Sequence, residues 1–379
     1  MKILQINASY KPAYIYGGPT MSVSKLSEQM VKAGCIAAVF TTTANGAVEL
    51  PVLPNQQTMI DGVAVTYFKR ITKDHSHFSP ALLARLWKQV KDFDLVHIHA
   101  WWNLVSVLSC WIALMRGVPV LVSPRGTLSS YSFTNKNNLP KKIIHNLLGK
   151  YLLKRSHIHV TSHREKTGIE AIIHPKQIIN IPNFILLPDI ASDNVPKSDG
   201  CLKLLFFSRI EGKKGLDILL NALASVTVPY HLTIAGDGDP AYMEKLKVVA
   251  ATNGISGQIS WIGFQGDNKF KLLGQHDLMI LPSYDENFGN VVIECLSTGT
   301  AVLVSKYVGL ADYVAENNLG WVCELEERDI SNHINNIWQE SDKLSAIREH
   351  APLIIRNDFN EERLTEKYIK MYNQIINNG

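Results

Sequence analysis

The chain reads as an α/β protein, with two doubly wound parallel-sheet domains facing each other across a cleft. Three observations carry this expectation. Short apolar runs alternate with helical patterns through the first half of the chain, the signature of a parallel sheet covered by helices on both faces. The same rhythm restarts near residue 202. Between the halves, residues 182–200 are rich in Pro, Asp, Ser and Asn, the composition of a domain linker.

The predicted strands of the first half are 3–6, 37–41, 95–98, 118–122 and 157–161, and those of the second are 202–207, 231–235, 259–262, 278–281 and 301–304. Placing the boundary near residue 190 gives domains 1–189 and 190–360. A chain of 379 residues is too long for one ordinary core and fits two. Its 46% hydrophobic and 19% charged content is that of a globular protein and excludes disorder.

The net charge of +4 conceals an asymmetry: residues 1–182 hold 21 Lys and Arg against 8 Asp and Glu, a balance of +13, and the remainder is −9. A basic half calls for an anionic partner, such as a lipid surface, a diphosphate-linked acceptor or nucleic acid. Nucleic acid is not expected, because no helix-turn-helix, zinc-finger or RNP pattern accompanies the charge. The densest basic stretch comprises Lys136, Lys141, Lys142, Lys150, Lys154 and Arg155, with apolar pairs at helical spacing between them. Such a helix suits an anionic membrane surface, and its apolar stripe suits packing on a core equally well.

Cys35, Cys110, Cys201, Cys295 and Cys323 are odd in number and lack a Cys-x-x-Cys pair, as expected of reduced thiols in a cytoplasmic protein. Residues 1–6 resemble a first strand rather than a signal peptide. The uncharged stretch 100–115 is shorter than the about 20 residues that span a bilayer, so any membrane contact is expected to be peripheral, at the inner face.

Ligands of doubly wound sheets bind outside the carboxyl ends of the strands, which directs attention to the strand-to-helix loops. After the first strand, Gly17-Gly18-Pro19 leads into a helix expected over 21–33 and offers bare backbone N–H groups to an anion. After the first strand of the second half, residues 208–215 place Arg209 and Lys214 ahead of a helix from Leu216. Arg as a planar fork and Lys as a point charge both suit a diphosphate. Turn chemistry accounts for a third loop, Gly236-Asp237-Gly238.

Glu286 and Glu294 flank the start of a helix expected from Val291, one in the loop and one in the helix, and Gly289 between them allows close backbone approach. At about 1.5 Å of rise per residue, eight helical residues set two acids roughly 12 Å apart. The carboxyls of glycosidases stand about 5 to 9.5 Å apart. The pair therefore suits the two ends of one extended ligand better than the two sides of one bond.

Together these motifs make the chain resemble family 4 of the nucleotide-sugar glycosyltransferases over nearly its whole length. The marks, in order, are Gly17-Gly18, the run from Asp94 to His99, Arg209 with Lys214-Gly215, Gly236-Asp237-Gly238, Glu286 to Glu294, and Gly299-Thr300-Ala301-Val302. The resemblance implies the GT-B fold of two Rossmann-like domains, with the acceptor on the first, the donor on the second, and a final helix within 361–379 packing back on the first. It implies that Glu286 and the backbone of Asn287, Phe288 and Gly289, with Asn290 beside them, hold the donor sugar. Glu294 would take the ribose hydroxyls, and Arg209, Lys214 and the Gly18 amide the diphosphate. It implies retention of anomeric configuration by a front-face path and no metal ion or cofactor, since the cations stabilise the leaving group.

The chain departs from the family pattern after the strand at 118–122. Where members commonly carry a His, it has Arg125, within Ser123-Pro124-Arg125-Gly126, a sequence similar to that of a branch that builds bacterial surface polysaccharides. Arg125 is a candidate for donor phosphate or an acidic acceptor, and His99 for an acceptor-side hydrogen bond. His97 and His99 share a strand face, as a metal site requires, but a third ligand at suitable spacing is missing. Trp101-Trp102 could stack on an acceptor sugar or lipid, with core packing the default.

The expected function is therefore transfer of a hexose from a UDP- or GDP-sugar to a lipid-linked oligosaccharide in surface polysaccharide synthesis (O-antigen, capsule or exopolysaccharide). The alternatives are a nucleotide-sugar epimerase or hydrolase of the same fold, or a catalytically silent sugar-nucleotide-binding partner of a polysaccharide assembly.

Overall fold

The computed structural model describes residues 1–129, 145–188, 200–266 and 268–378. Lys136, Lys141 and Lys142 of the expected basic helix lie outside them, as does the boundary near residue 190. The chain divides into two compact units, Met1–Ile185 with Glu361–Gly379, and Leu186–Asn360.

The N-terminal unit is built on eight strands: β1 (Lys2–Ile6), β2 (Ile36–Thr42), β3 (Gln57–Ile60), β4 (Val63–Phe68), β5 (Leu95–His99), β6 (Val120–Ser123), β7 (His157–Val160) and β8 (Gln177–Asn180). Their order across the sheet is β3-β4-β2-β1-β5-β6-β7-β8. Every neighbouring pair is parallel except β3 and β4. Those two strands form a hairpin that the strand pattern did not anticipate. The signal was present: Asp61-Gly62 is a two-residue turn with both φ angles positive, 47° and 80°, which matches the twist of a hairpin. Gln57–Ile60 is a short, largely exposed edge, whereas its partner Val63–Phe68 is a mostly buried apolar run that was legible and went unread.

Helices cover both faces of this sheet. On one face the helices Gly18–Lys32 and Glu361–Asn378 pack over Ile3 and Leu95. Leu364, Tyr368, Met371, Tyr372 and Ile375 recur at helical spacing on the last helix and are all buried. At about 1.5–3 kcal/mol per buried large side chain, that stripe is enough to hold the helix. On the other face, Leu82 and Leu86 of Pro80–Gln89 and Val105 and Ile112 of Leu104–Met115 enter the core.

The C-terminal unit carries β9 (Leu202–Phe207), β10 (Tyr230–Ala235), β11 (Ile259–Gly263), β12 (Leu278–Leu281), β13 (Ala301–Ser305) and β14 (Gly320–Cys323). They are ordered β11-β10-β9-β12-β13-β14 and all parallel. Numbered within the unit this is 3-2-1-4-5-6, the dinucleotide-binding order, whose switch point lies between β9 and β12. These two strands pair only at Leu204–Leu278 and Leu205–Met279, so they part toward their carboxyl ends. β12 and β13 are buried along their whole length, which explains why they read as continuous apolar runs rather than alternating ones.

Candidate functional site

The loops leaving β9 and β12 stand on either side of the switch point, and one close approach joins them. Gly215 has φ +71°, and a Cβ placed there would lie 1.9 Å from Pro282 O. Only glycine permits both the conformation and the contact. Tyr284 N donates to Lys213 O at 2.8 Å and completes the junction. The third loop is tied in too, since Ile210 N donates to Asp237 O at 2.8 Å.

The junction brings Lys214 to Glu286. Lys214 Nζ pairs with Glu286 Oε2, and the two side chains are only 10% and 19% exposed. Glu286 is itself pinned by its backbone: its N donates to Tyr307 O at 3.1 Å and its O accepts from Gly309 N at 2.8 Å. Two groups assigned from sequence to different parts of a ligand are thus direct partners. Arg209 is more open, with 53% of its side chain exposed, and pairs with Glu211 at 2.7 Å.

Beyond Glu286 the chain turns through Gly289, at φ 91° and ψ 60°, into the helix Asn290–Ser297. A Cβ there would meet Val308 Cγ1 at 3.1 Å and Val292 Cγ2 at 3.3 Å. Phe288 is buried with its ring edge-on to Phe359, 6.3 Å between centroids, so only its backbone faces the loop. Glu294 is not isolated: Lys269 Nζ binds its Oε1 at 2.7 Å. Sequence reasoning missed both Lys269 and Glu211. Glu211 lies two residues from Arg209 and was legible, but Lys269 comes from a separate short helix that no spacing rule connects to Glu294.

In the N-terminal unit the helix begins at Gly18 rather than Met21, three residues earlier than expected, because Pro19 at its second position suits a first turn. Gly17 precedes it at φ 66°, and Gly18 and Pro19 are exposed. Arg125 stands at the end of β6 with φ 52° and is half-buried. Its Nη1 donates to Ser22 Oγ at 2.8 Å and to Asn183 Oδ1 at 2.9 Å, and its Nε to His99 Nδ1 at 3.3 Å.

His99, expected to meet the acceptor, is fully buried, with Nε2 bonded to Gln5 Oε1 at 2.7 Å. Its other ring nitrogen, Nδ1, accepts from Arg125. His97 does share its face, with ring centroids 4.1 Å apart, and its nitrogens bind Tyr372 Oη and Ser123 Oγ at 2.8 and 2.7 Å. Burial, with neighbouring positive groups, holds His97 and His99 well below the usual imidazole range and pushes His159 down to about 3. Trp101 is core, and Trp102 Nε1 donates to Thr127 O.

A model for glycosyltransferase family 4 matches residues 16–187, and one for glycosyl transferases group 1 matches residues 190–353. The chain belongs to the glycosyltransferases. An uncharacterized 41.2 kDa protein in the cps region of Klebsiella pneumoniae is 22% identical to this glycosyltransferase over 378 residues, covering 93% of it and 99% of the relative. Among solved structures, sucrose-phosphate synthase from Thermosynechococcus elongatus superposes with a TM-score of 0.78 at 18% identity, each chain covered in full (100%). The Anabaena protein HepE, solved with UDP and glucose, gives 0.74 at 21% identity, covering 99% of this chain and 100% of its own. The glycosyltransferase therefore has the GT-B fold.

Proposed function

We propose that the protein is a retaining, metal-independent hexosyltransferase that moves a sugar from a UDP- or GDP-sugar to a lipid-linked oligosaccharide in surface polysaccharide synthesis. The observation that carries this reading is the pair of Lys214 and Glu286 at the switch point, with Arg209 open beside it. A nucleoside diphosphate sugar matches that constellation: a diphosphate for the two cations, hydroxyls for Glu286 and the backbone of Asn287 and Gly289, and a ribose for Glu294. Lys214 then exchanges a carboxylate for a phosphate oxygen, and Glu286 is released to the sugar. Arg209 and Lys214 stabilise the charge that grows on the leaving diphosphate, the task a divalent ion performs elsewhere. HepE, the relative solved with UDP and glucose, supports the donor class.

The lipid-linked acceptor and a peripheral place at the inner face of the cell membrane draw support from the surface of the N-terminal unit. Trp111 and Met115 of one helix and Tyr151 of another are exposed, and Arg155 stacks on Tyr151 at 3.8 Å. Residues 95–164 contain no Asp or Glu at all, so no acid of that segment opposes an anionic headgroup. Among the described residues no helix is long and apolar enough to cross a membrane.

The test is a panel of UDP- and GDP-sugars scored by thermal stabilisation. A cognate donor at 100 times its dissociation constant adds about 2.7 kcal/mol. Absence of stabilisation by every member would overturn the reading.

A further inference from the structure

Beneath the N-terminal unit's strand ends runs a chain of buried polar groups that the proposed donor chemistry does not use. Its directions can be assigned, because it ends on a carbonyl that can only accept. His159 Nε2 lies 2.8 Å from Ile181 O and must donate, so His159 Nδ1 accepts from Ser123 Oγ at 2.6 Å. Ser123 then accepts from His97 Nε2, and His97 Nδ1 accepts from Tyr372 Oη. Tyr372 accepts from Gln5 Nε2 at 3.3 Å, and Gln5 Oε1 accepts from His99 Nε2. His99 Nδ1 is left as an acceptor, and it receives Arg125 Nε–H. Seven hydrogen bonds point one way, from Arg125 to Ile181, with every member behind Arg125 neutral.

The consequence falls on Arg125. Three of its five N–H groups meet neutral acceptors, and among the described residues Nη2 makes no hydrogen bond and the guanidinium forms no ion pair. Glu165, whose charge acts on it, receives Gly126 N and Thr161 N at 2.9 Å each. A half-buried cation is thus held by three anchors, in a left-handed backbone conformation that arginine rarely adopts, without a carboxylate bonded to it. Folding alone does not require such an arrangement. A ligand oxyanion accounts for it.

We propose that Arg125 is an anion-binding residue of the N-terminal unit, receiving a phosphate or carboxylate oxygen of substrate on Nη2, and that the neutral relay through His99, Gln5, Tyr372 and His97 positions it. The inference rests on the glycosyltransferase reading for its substrate. The anion has two possible sources, an acidic or phosphate-bearing acceptor and the donor diphosphate, and kinetics separates them.

Arg125→Gln removes the charge and Tyr372→Phe breaks the relay while leaving Arg125 in place. Steady-state transfer is measured with donor and acceptor varied in turn. We expect Arg125→Gln to raise KM at least tenfold for the substrate that carries the anion, and Arg125→Lys to recover part of the loss. A rise confined to the acceptor identifies an acidic acceptor, and a rise confined to the donor identifies the diphosphate. Tyr372→Phe should raise KM for that same substrate with kcat little changed, a selectivity that general loosening of the unit would not produce. Unchanged KM for both substrates in folded Arg125→Gln overturns the proposal, and if that variant does not fold, wild-type KM values in Arg125→Lys and Tyr372→Phe do so. If no nucleotide sugar is turned over by the wild-type protein, the glycosyltransferase reading fails by itself. Inorganic phosphate then serves as the probe: in an Arg209→Gln background it should raise the melting temperature, and adding Arg125→Gln should abolish the rise, whereas an equal rise in both overturns the anion site.

Discussion

Lys214 Nζ and Glu286 Oε2 are ion-pair partners although 72 residues separate them, and the contact joins the exits of the two strands that flank the switch point. Each side chain is mostly shielded from water, so neither is a casual surface charge. A double-mutant cycle with Lys214→Met and Glu286→Gln should give a coupling energy in unfolding of about 0.5–3 kcal/mol, the range of residues in direct contact. Strict additivity of the two single changes would contradict the pairing.

Gly215→Ala tests the junction itself. The added methyl meets Pro282 O in a backbone conformation alanine avoids, so the loop must move. We expect a loss of more than about 1 kcal/mol in denaturant unfolding, together with weaker donor binding. Gly34→Ala is the control, for it shares a positive φ but has no atom within 4 Å of the added Cβ. Equal losses at both glycines would show that the close approach does not matter.

The buried histidines set a pH dependence of stability. His97, His99 and His159 are neutral in the folded protein and take up protons far less readily than at the ordinary value of 6.5. Below that value the unfolded chain binds protons that the folded chain refuses, so stability is present above it and falls as pH drops from 7 toward 5. Each such histidine contributes a slope of up to about 1.4 kcal/mol per pH unit. Denaturant melts of wild type and His159→Gln should show a shallower slope in the variant, and identical slopes would contradict the assignment.

Much of the fold was legible because parallel strands buried on both faces leave continuous apolar runs, and β9 and β12 fall where those runs fall. The outer strand of the edge hairpin was not, since Gln57–Ile60 is short and largely exposed, although its partner Val63–Phe68 carries such a run. The loops holding Arg209, Lys214, Glu286 and Glu294 could be found from glycine and charge placement alone. Their partners could not. Lys269 reaches Glu294 from another helix, and His99 gives no sign in sequence that burial and Gln5 would occupy it. Spacing reports neighbours within an element, whereas these contacts are made between elements.

Metal independence is open to a direct check. If Arg209 and Lys214 supply the charge stabilisation, transfer in excess EDTA should match transfer in magnesium. Loss of activity in EDTA, restored by a divalent ion, would contradict that role.

The most direct test of the central claim is sugar transfer by Glu286→Ala from the donor that stabilises the wild-type protein. With the variant shown to be folded by its circular dichroism and cooperative melt, transfer should fall by about 100-fold or more, the scale on which removal of one transition-state contact acts. Transfer at the wild-type rate would contradict the placement of the donor sugar at Glu286, and with it the proposed function of the site.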